Sequence, residues 1–226
     1  MTGNKALRIA ALVPMRHSSE RVKGKNYREL AGIPLYHHIV RTLLAVPQIS
    51  QVVIDTDSDL IFEDAARAFP DVVLLRRPEH LRSGDTPMND VLLNTVDQID
   101  AEVFLQTHST NPFLSAATVE SAIQRYLDGE NDCDSVFGVT RLQARLWTAD
   151  GKPVNHDPAV LLRTQDLEPI YLENSTMYIF TPDILRERGN RIGANPLLVE
   201  VPAQEAVDID EEWEFELAQA IAAARG

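Results

Sequence analysis

The sequence is short of what a secreted, membrane-spanning or nucleic-acid-binding protein carries. It has one cysteine, Cys133, so an intramolecular disulfide framework is excluded and a reducing, cytoplasmic setting is expected. No basic residue lies beside Cys133, which reads as a packing residue and not as a nucleophile. The longest early apolar run is residues 9–13, far below the ~20 residues that cross a bilayer. The first seven residues lack a basic start followed by an apolar stretch, so no signal peptide is expected. Basic charge is in deficit as well. Twenty-one Lys and Arg against 34 Asp and Glu leave a net charge of −13, which repels a nucleic acid backbone. Neither G-x-x-x-x-G-K-[ST] nor G-x-G-x-x-G occurs, so the P-loop and the dinucleotide fingerprint are missing. The six histidines show no H-E-x-x-H spacing, and His37-His38 falls within a helical pattern as a structural pair.

What is present is a globular composition, 44% hydrophobic, in which strands and helices alternate. Residues 8–14, 52–54, 72–75, 103–105 and 135–140 read as strands. Residues 34–45, 59–69, 90–99 and 115–127 read as helices, with Pro34 suited to a first turn and Ser58 or Asp59 and then Ser115 as caps. This rhythm implies right-handed βαβ crossovers and a mainly parallel sheet, an α/β fold. It breaks after residue 140. Asp150-Gly151 marks a hairpin turn within 147–154, and 155–172 looks irregular. Residues 178–180 and 197–201 resume as strands, and 211–224 close the chain as an amphipathic helix. The expectation is one domain, 1–226, with a small β-rich flap inserted at about 141–173.

In parallel sheets ligands bind beyond the carboxyl ends of the strands, so the segments after them are where chemistry is expected. The first such segment holds Arg16, Arg21, Lys23, Lys25 and Arg28 against Glu20 and Glu29, a net of +3 in an acidic chain. Arg16 and Lys25 bracket Ser18, Ser19 and Gly24. A fork-shaped guanidinium, a mobile ammonium and backbone N–H groups together suit a small polyphosphate. A solvated lysine-rich loop is the alternative. Near the C-terminus stand Asp208 and Asp210. In extended backbone both carboxylates face one side and suit Mg²⁺; alternatively Asp210 caps the last helix, and the two roles are compatible. His108 follows a strand end and is the histidine best placed for a site.

The run from Val13 to Asn26, with Leu30-Ala31-Gly32-Ile33-Pro34-Leu35, resembles the signature of the acylneuraminate cytidylyltransferase family and, more distantly, of the CMP-Kdo synthetases. Further matches are Asp55-Thr56-Asp57, Arg77-Pro78 with Asp85-Thr86, Gln106 with Asn111-Pro112, Asn174 with Met177-Tyr178-Ile179, and Asp208-Ile209-Asp210. The resemblance implies a Rossmann-like nucleotidylyltransferase, usually a homodimer whose flap reaches the partner, that moves CMP from CTP to an acidic ulosonic sugar. It implies that Arg16, Ser19, Lys25 and Asn26 hold CTP, that Arg77 and the segment at Asp85 frame the cytosine, and that Gln106 contacts the sugar, with His108 and Asn174 beside it. It also implies that Asp208 and Asp210 bind Mg²⁺, and that Arg16, Lys25 and Asp210 carry the catalysis. No nucleic acid or membrane partner is expected.

The chain departs from the family pattern at Glu20, where many relatives are basic, at residues 106–114, which have lost an arginine, and at residues 172–176. The last two lie where the sugar is expected, leaving open sialic-acid-like nonulosonates, Kdo and amino-Kdo. Arg141, Arg145 or Arg163, with Gln165, are candidates for the sugar carboxylate's partner. An inactive CTP-binding homologue is the competing reading.

Overall fold

The structure is a computed structural model that describes residues 7–225. Its strands are β1 Ile9–Met15, β2 Glu29–Leu30, β3 Ile33–Pro34, β4 Ile49–Thr56, β5 Val73–Arg76, β6 Val103–Thr107, β7 Ser135–Leu142, β8 Ile170–Phe180 and β9 Pro196–Glu200. The helices are α1 Leu35–Leu44, α2 Asp59–Ala68, α3 Met88–Val96, α4 Ala116–Leu127, α5 Pro182–Arg188 and α6 Glu212–Arg225. Seven strands form one sheet in the order β5-β4-β1-β6-β8-β7-β9, and β2 pairs with β3 in a separate hairpin. Only β8 runs against the other six. The expected mainly parallel α/β architecture is therefore the observed one.

The alternation along β1 explains why the sheet is covered on both faces. Ile9, Ala11, Val13 and Met15 pack with α1, α2 and α4 through Ile39, Leu43, Ile61 and Val119. Ala10 and Leu12 point the other way, against Leu92 of α3, Leu185 of α5 and the stacked Phe104 and Phe180. A strand buried on both faces reads as a continuous apolar run, which is how β1 appears in the sequence. The helix starts are fixed locally. The Ser58 hydroxyl accepts the N–H of Ile61 at 3.3 Å, and that of Ser115 accepts the N–H of Thr118 at 3.2 Å.

Three regions differ from expectation. β8 begins at Ile170, eight residues before the apolar stretch that marked it, because Glu173-Asn174-Ser175-Thr176 breaks the hydrophobic pattern; residues 170–173 pair with β7, and the register shifts before pairing resumes at Tyr178. α5 carried the signal of a Thr181 cap and Pro182 at the first turn, and the apolar rhythm there is too short to have exposed it. The flap between β7 and β8 is less β-rich than expected. Among its residues there is one antiparallel bridge, Trp147 to Pro153, around the Asp150-Gly151 turn, and a 3-10 turn at Thr164–Asp166. Among the described residues no helix is long and apolar enough to cross a membrane.

Candidate active site

The carboxyl ends of β1, β5 and β6 open into a cleft of about 440 Å³. One wall is the segment after β1, which runs through residues 16–24 into a 3-10 turn, Lys25–Tyr27. Gly24 enters that turn at φ 67°, and a Cβ there would lie 2.7 Å from the Tyr27 ring, so both backbone and space call for glycine. Three polar ties hold the segment. The Asn26 amide donates to the Arg16 carbonyl at 2.8 Å and accepts the Ser109 hydroxyl at 2.7 Å. The His17 N–H donates to Asp57 at 2.6 Å. The His17 ring lies 2.7 Å from the Ser58 hydroxyl, which also caps α2. Asn26 is thus buried between two loops that line the cleft and braces the one that carries Arg16.

The charges follow from these ties. Arg16 is exposed in the cleft and, among the described residues, has no ion-pair partner. The Lys25 ammonium donates to the Ile209 carbonyl at 2.6 Å and to Asp210 at 3.1 Å. Arg21 reaches the same Asp210 oxygen at 3.0 Å and Glu211 at 3.2 Å. Burial pushes the Asp210 carboxyl up, but Lys25 and Arg21 outweigh it and hold the group below the usual carboxylate range. Arg21 therefore pairs with the C-terminal acids and not with Glu20. Glu20 lines the cleft beside Gly84 and the Arg16 guanidinium. Ser19 also lines it, its hydroxyl accepting the Val22 N–H at 3.4 Å.

Other expected site residues fall differently. Arg77 lines the cleft but is only 2% exposed, and its guanidinium donates to Asp55 at 2.6 Å. The second Asp55 oxygen takes the Thr95 hydroxyl at 3.0 Å. Arg77 is thus committed to a buried ion pair and forms a floor; it is not a free hand for a base. Asp85 is on the exposed rim, its N–H bonded to Ser83 at 3.2 Å. Gln106 is wholly buried and outside the cleft lining, donating to the Thr107 carbonyl at 2.9 Å with its side-chain oxygen unpartnered. Asn174 is also away from the cleft. Its amide nitrogen donates to Thr140 at 3.0 Å, and its oxygen accepts both the N–H and the hydroxyl of Thr176, at 3.3 and 2.8 Å. That side chain is consumed in joining β7 to β8.

His108 does line the cleft, and its buried Nε2 has no partner. Burial, then the nearby Arg191 and Lys25, lower its pKa to about 4, so the ring is neutral at neutral pH. Arg191 was not anticipated, because it sits in a short turn-rich connection with no periodicity to mark it.

The two C-terminal carboxylates play unequal parts. Asp210 lines the cleft, whereas Asp208 lies behind it with one buried oxygen unpartnered. Burial pushes the Asp208 carboxyl up against a hydrogen bond from Thr110, and the charge of Asp210 adds to the rise. Among the described residues no group of three or more potential ligands gathers. A pair with an unmatched oxygen fits Mg²⁺, which takes one or two carboxylates and completes its shell with water and phosphate. The start of α6 is closed by Glu214, whose carboxylate accepts the N–H groups of Asp210 and Glu211 at 2.7 and 2.8 Å. Among the described residues the Asp210 carboxylate takes Lys25 and Arg21 and no helix N–H, so its side chain is not the cap.

The sequence profile described as cytidylyltransferase matches residues 10–220, nearly all of the chain that builds this cleft. The chain belongs to the cytidylyltransferase family. It is 28% identical over 218 residues to the N-acylneuraminate cytidylyltransferase of Oncorhynchus mykiss, covering 93% of this chain and 49% of that protein. It thus spans about half the length of that relative. The CMP-N,N'-diacetyllegionaminic acid synthase of Legionella pneumophila is 28% identical over 220 residues, covering 90% of this chain and 91% of its own. In fold, the chain is similar to the structure of CMP:2-keto-3-deoxy-manno-octonic acid synthetase complexed with CTP. That likeness has a TM-score of 0.70 at 16% identity and covers 97% of this chain and 100% of the other. Within the family frame, the cleft joins Arg16, Ser19, Lys25, Asn26, Arg77, Asp85, His108 and Asp210, and leaves Gln106, Asn174 and Asp208 outside its lining.

Proposed function

We propose that the chain transfers CMP from CTP to the anomeric hydroxyl of an acidic ulosonic sugar. The observation that carries this reading is the braced cationic segment: Arg16 without an ion-pair partner among the described residues and Lys25 held at the wall, both in one cleft of a chain that matches the cytidylyltransferase family. The anomeric oxygen forms a bond to the α-phosphorus. The bond from that phosphorus to the bridging oxygen breaks, and pyrophosphate leaves with the electron pair. The hydroxyl proton passes to solvent. Charge builds on the phosphate oxygens, so positioned cations lower the barrier; loss of one such contact costs about 10²–10³ in turnover. Asn26, His17 and Gly24 contribute by holding the cations in place before substrate arrives. Asp208 and Asp210 would hold Mg²⁺, which supplies Lewis-acid stabilisation of phosphate charge when bound. Asp210 also sets where Lys25 and Arg21 stand.

The relatives' sugars support a nonulosonate or an octulosonate as acceptor, N-acylneuraminate and N,N'-diacetyllegionaminic acid among them. An assembly of two copies is part of the same reading. The flap exposes Trp147, Val154, Val160, Leu161 and Leu162, with Leu161 at 91%, more apolar surface than a lone arm keeps in water. A sedimentation measurement on Leu161→Asp checks this: a dimer weakened to monomers is expected, and an unchanged mass excludes the flap as its interface.

The deciding experiment is pyrophosphate release with CTP and Mg²⁺ across N-acetylneuraminate, N,N'-diacetyllegionaminate, Kdo and amino-Kdo, with ATP, GTP and UTP alongside. Release with CTP and one sugar is the expected result; no release with any sugar overturns the reading. Glu20 in the cleft favours a second reading, a CTP-binding protein without turnover. That reading requires tight CTP binding and no product in a single turnover.

A further inference from the structure

His108 lines the cleft and feels the charge of Arg191. Arg191 stands over the Tyr178 ring, its guanidinium carbon 3.6 Å from the ring centre. The Tyr178 hydroxyl donates to Glu173, and no ion pair joins Glu173 or any other described acid to Arg191. Arg191 also gives a hydrogen bond to the Tyr178 hydroxyl; a guanidinium carries five N–H donors, so that bond leaves others to match a carboxylate.

The loop that carries Arg191 is held at both ends. Asn89, at the start of α3, donates to the Gly189 carbonyl at 2.9 Å. The Gly193 N–H donates to Ser135 at 2.8 Å, and those of Ala194 and Asn195 donate to the Asp134 carboxylate at 2.6 and 3.0 Å. Gly193 sits so close to Asp134 that a Cβ there would fall on the carboxylate. Burial pushes the Asp134 carboxyl up, yet these N–H groups hold it below its ordinary range, as expected of an acid built to pin a loop. A positive charge on a loop held this firmly, without an acidic partner among the described residues, is poised for an anion from outside.

The position selects which anion. The phosphate-facing cations Arg16, Arg21 and Lys25 come from the segment after β1, whereas Arg191 lies over β8. β6 intervenes between these strands, so they are separated by two strand spacings, about 10 Å. Two of the other candidate arginines for the sugar carboxylate are engaged in the flap, and Arg141 lies on β7 outside the cleft lining. Arg163 pairs with Asp166, and Arg145 donates to the Leu162 carbonyl.

We propose that Arg191, over Tyr178, recognises the carboxylate of the acidic acceptor sugar and so sets acceptor specificity; this rests on the CMP-transfer reading above. The His108 ring, which lines the cleft, feels the charges of both regions, Arg191 as well as Lys25 and Asp210.

The test compares wild type with Arg191→Gln and Arg191→Lys, using N,N'-diacetyllegionaminate, N-acetylneuraminate and Kdo as acceptors. Losing a charge-assisted fork is expected to raise KM for the sugar on the order of 10- to 100-fold in Arg191→Gln, with KM for CTP unchanged. Arg191→Lys is expected to fall between. Esterifying the sugar carboxylate should penalise wild type by a similar factor and leave Arg191→Gln indifferent. A rise in KM for CTP alone would make Arg191 a phosphate ligand and overturn the proposal. Unchanged constants for both substrates would reduce it to a cover for Tyr178. If wild type releases no pyrophosphate, the transfer reading fails separately, and calorimetry with the same sugars then decides. Weaker binding to Arg191→Gln than to wild type supports the carboxylate site; equal binding, or none to either, overturns it.

Discussion

The segment after β1 and the β7–β8 side of the cleft are built on opposite plans. The first is cross-braced by side chains that leave its charges facing open space: Asn26 and His17 hold the backbone, and Arg16 stands unpaired among the described residues. On the second, the polar side chains are mostly spent on the protein itself. Asn174 has its hydrogen bonds filled by Thr140 and Thr176, Gln106 is sealed inside, and Arg191, over Tyr178, has no ion-pair partner among the described residues. The contrast separates the reaction from the recognition. Groups that stabilise phosphate charge need a rigid, charged wall, whatever the acceptor is. An acceptor is chosen by very few groups on a wall that is otherwise satisfied.

The comparison is sharpened most by cutting beneath both regions. Asp55→Ala leaves the Arg77 guanidinium charged and buried, and removal of one partner of such a pair costs about 3–5 kcal/mol. Urea unfolding should show that loss, with CTP binding weakened because Arg77 and its neighbours floor the cleft. Next come Arg16→Ala and Lys25→Ala, which should each lower turnover about 10²–10³-fold at little cost in stability. Mild effects equal to those of Arg67→Ala, a distant surface change, would merge the two regions into one nonspecific surface. Asn174→Ala should do the reverse: it should destabilise by about 1–3 kcal/mol through unpaired partners, with KM for the sugar unmoved. A large KM effect at constant stability would put Asn174 in the sugar site after all.

The smallest effect concerns His108 in the nucleotide-free protein. Its ring should take up a proton only near pH 4, whereas in the unfolded chain it does so near 6.5. Between those values the unfolded chain binds more protons, so stability should fall as pH drops from 6.5 through 4. NMR titration of the ring reads the pKa, and His108→Asn should flatten that part of the stability profile. A ring that titrates at 6.5 would show it open to water.

Much of this was legible in the residues alone. The fully buried β1 and the serine caps of α2 and α4 carry strong local signals, and the basic segment stands out against an acidic chain. The lower part of β8 was not legible, because its pairing with β7 is nonlocal while its sequence is polar. The roles of Arg77, Gln106 and Asn174 depend on partners 22, 1 and 34 residues away, and no spacing rule reports which oxygen a side chain will find. Asp210 shows the same limit. Its position suggested a metal ligand, a cap or both, and only the partners its carboxylate finds, Lys25 and Arg21, remove the cap.

The most direct test of the central claim is ³¹P NMR of CTP and Mg²⁺ incubated with the protein and N,N'-diacetyllegionaminate or another acidic sugar of the panel. The account predicts a new phosphodiester resonance from CMP joined to the sugar, growing in step with pyrophosphate. CDP with inorganic phosphate, or CTP left intact with every acceptor, would contradict it.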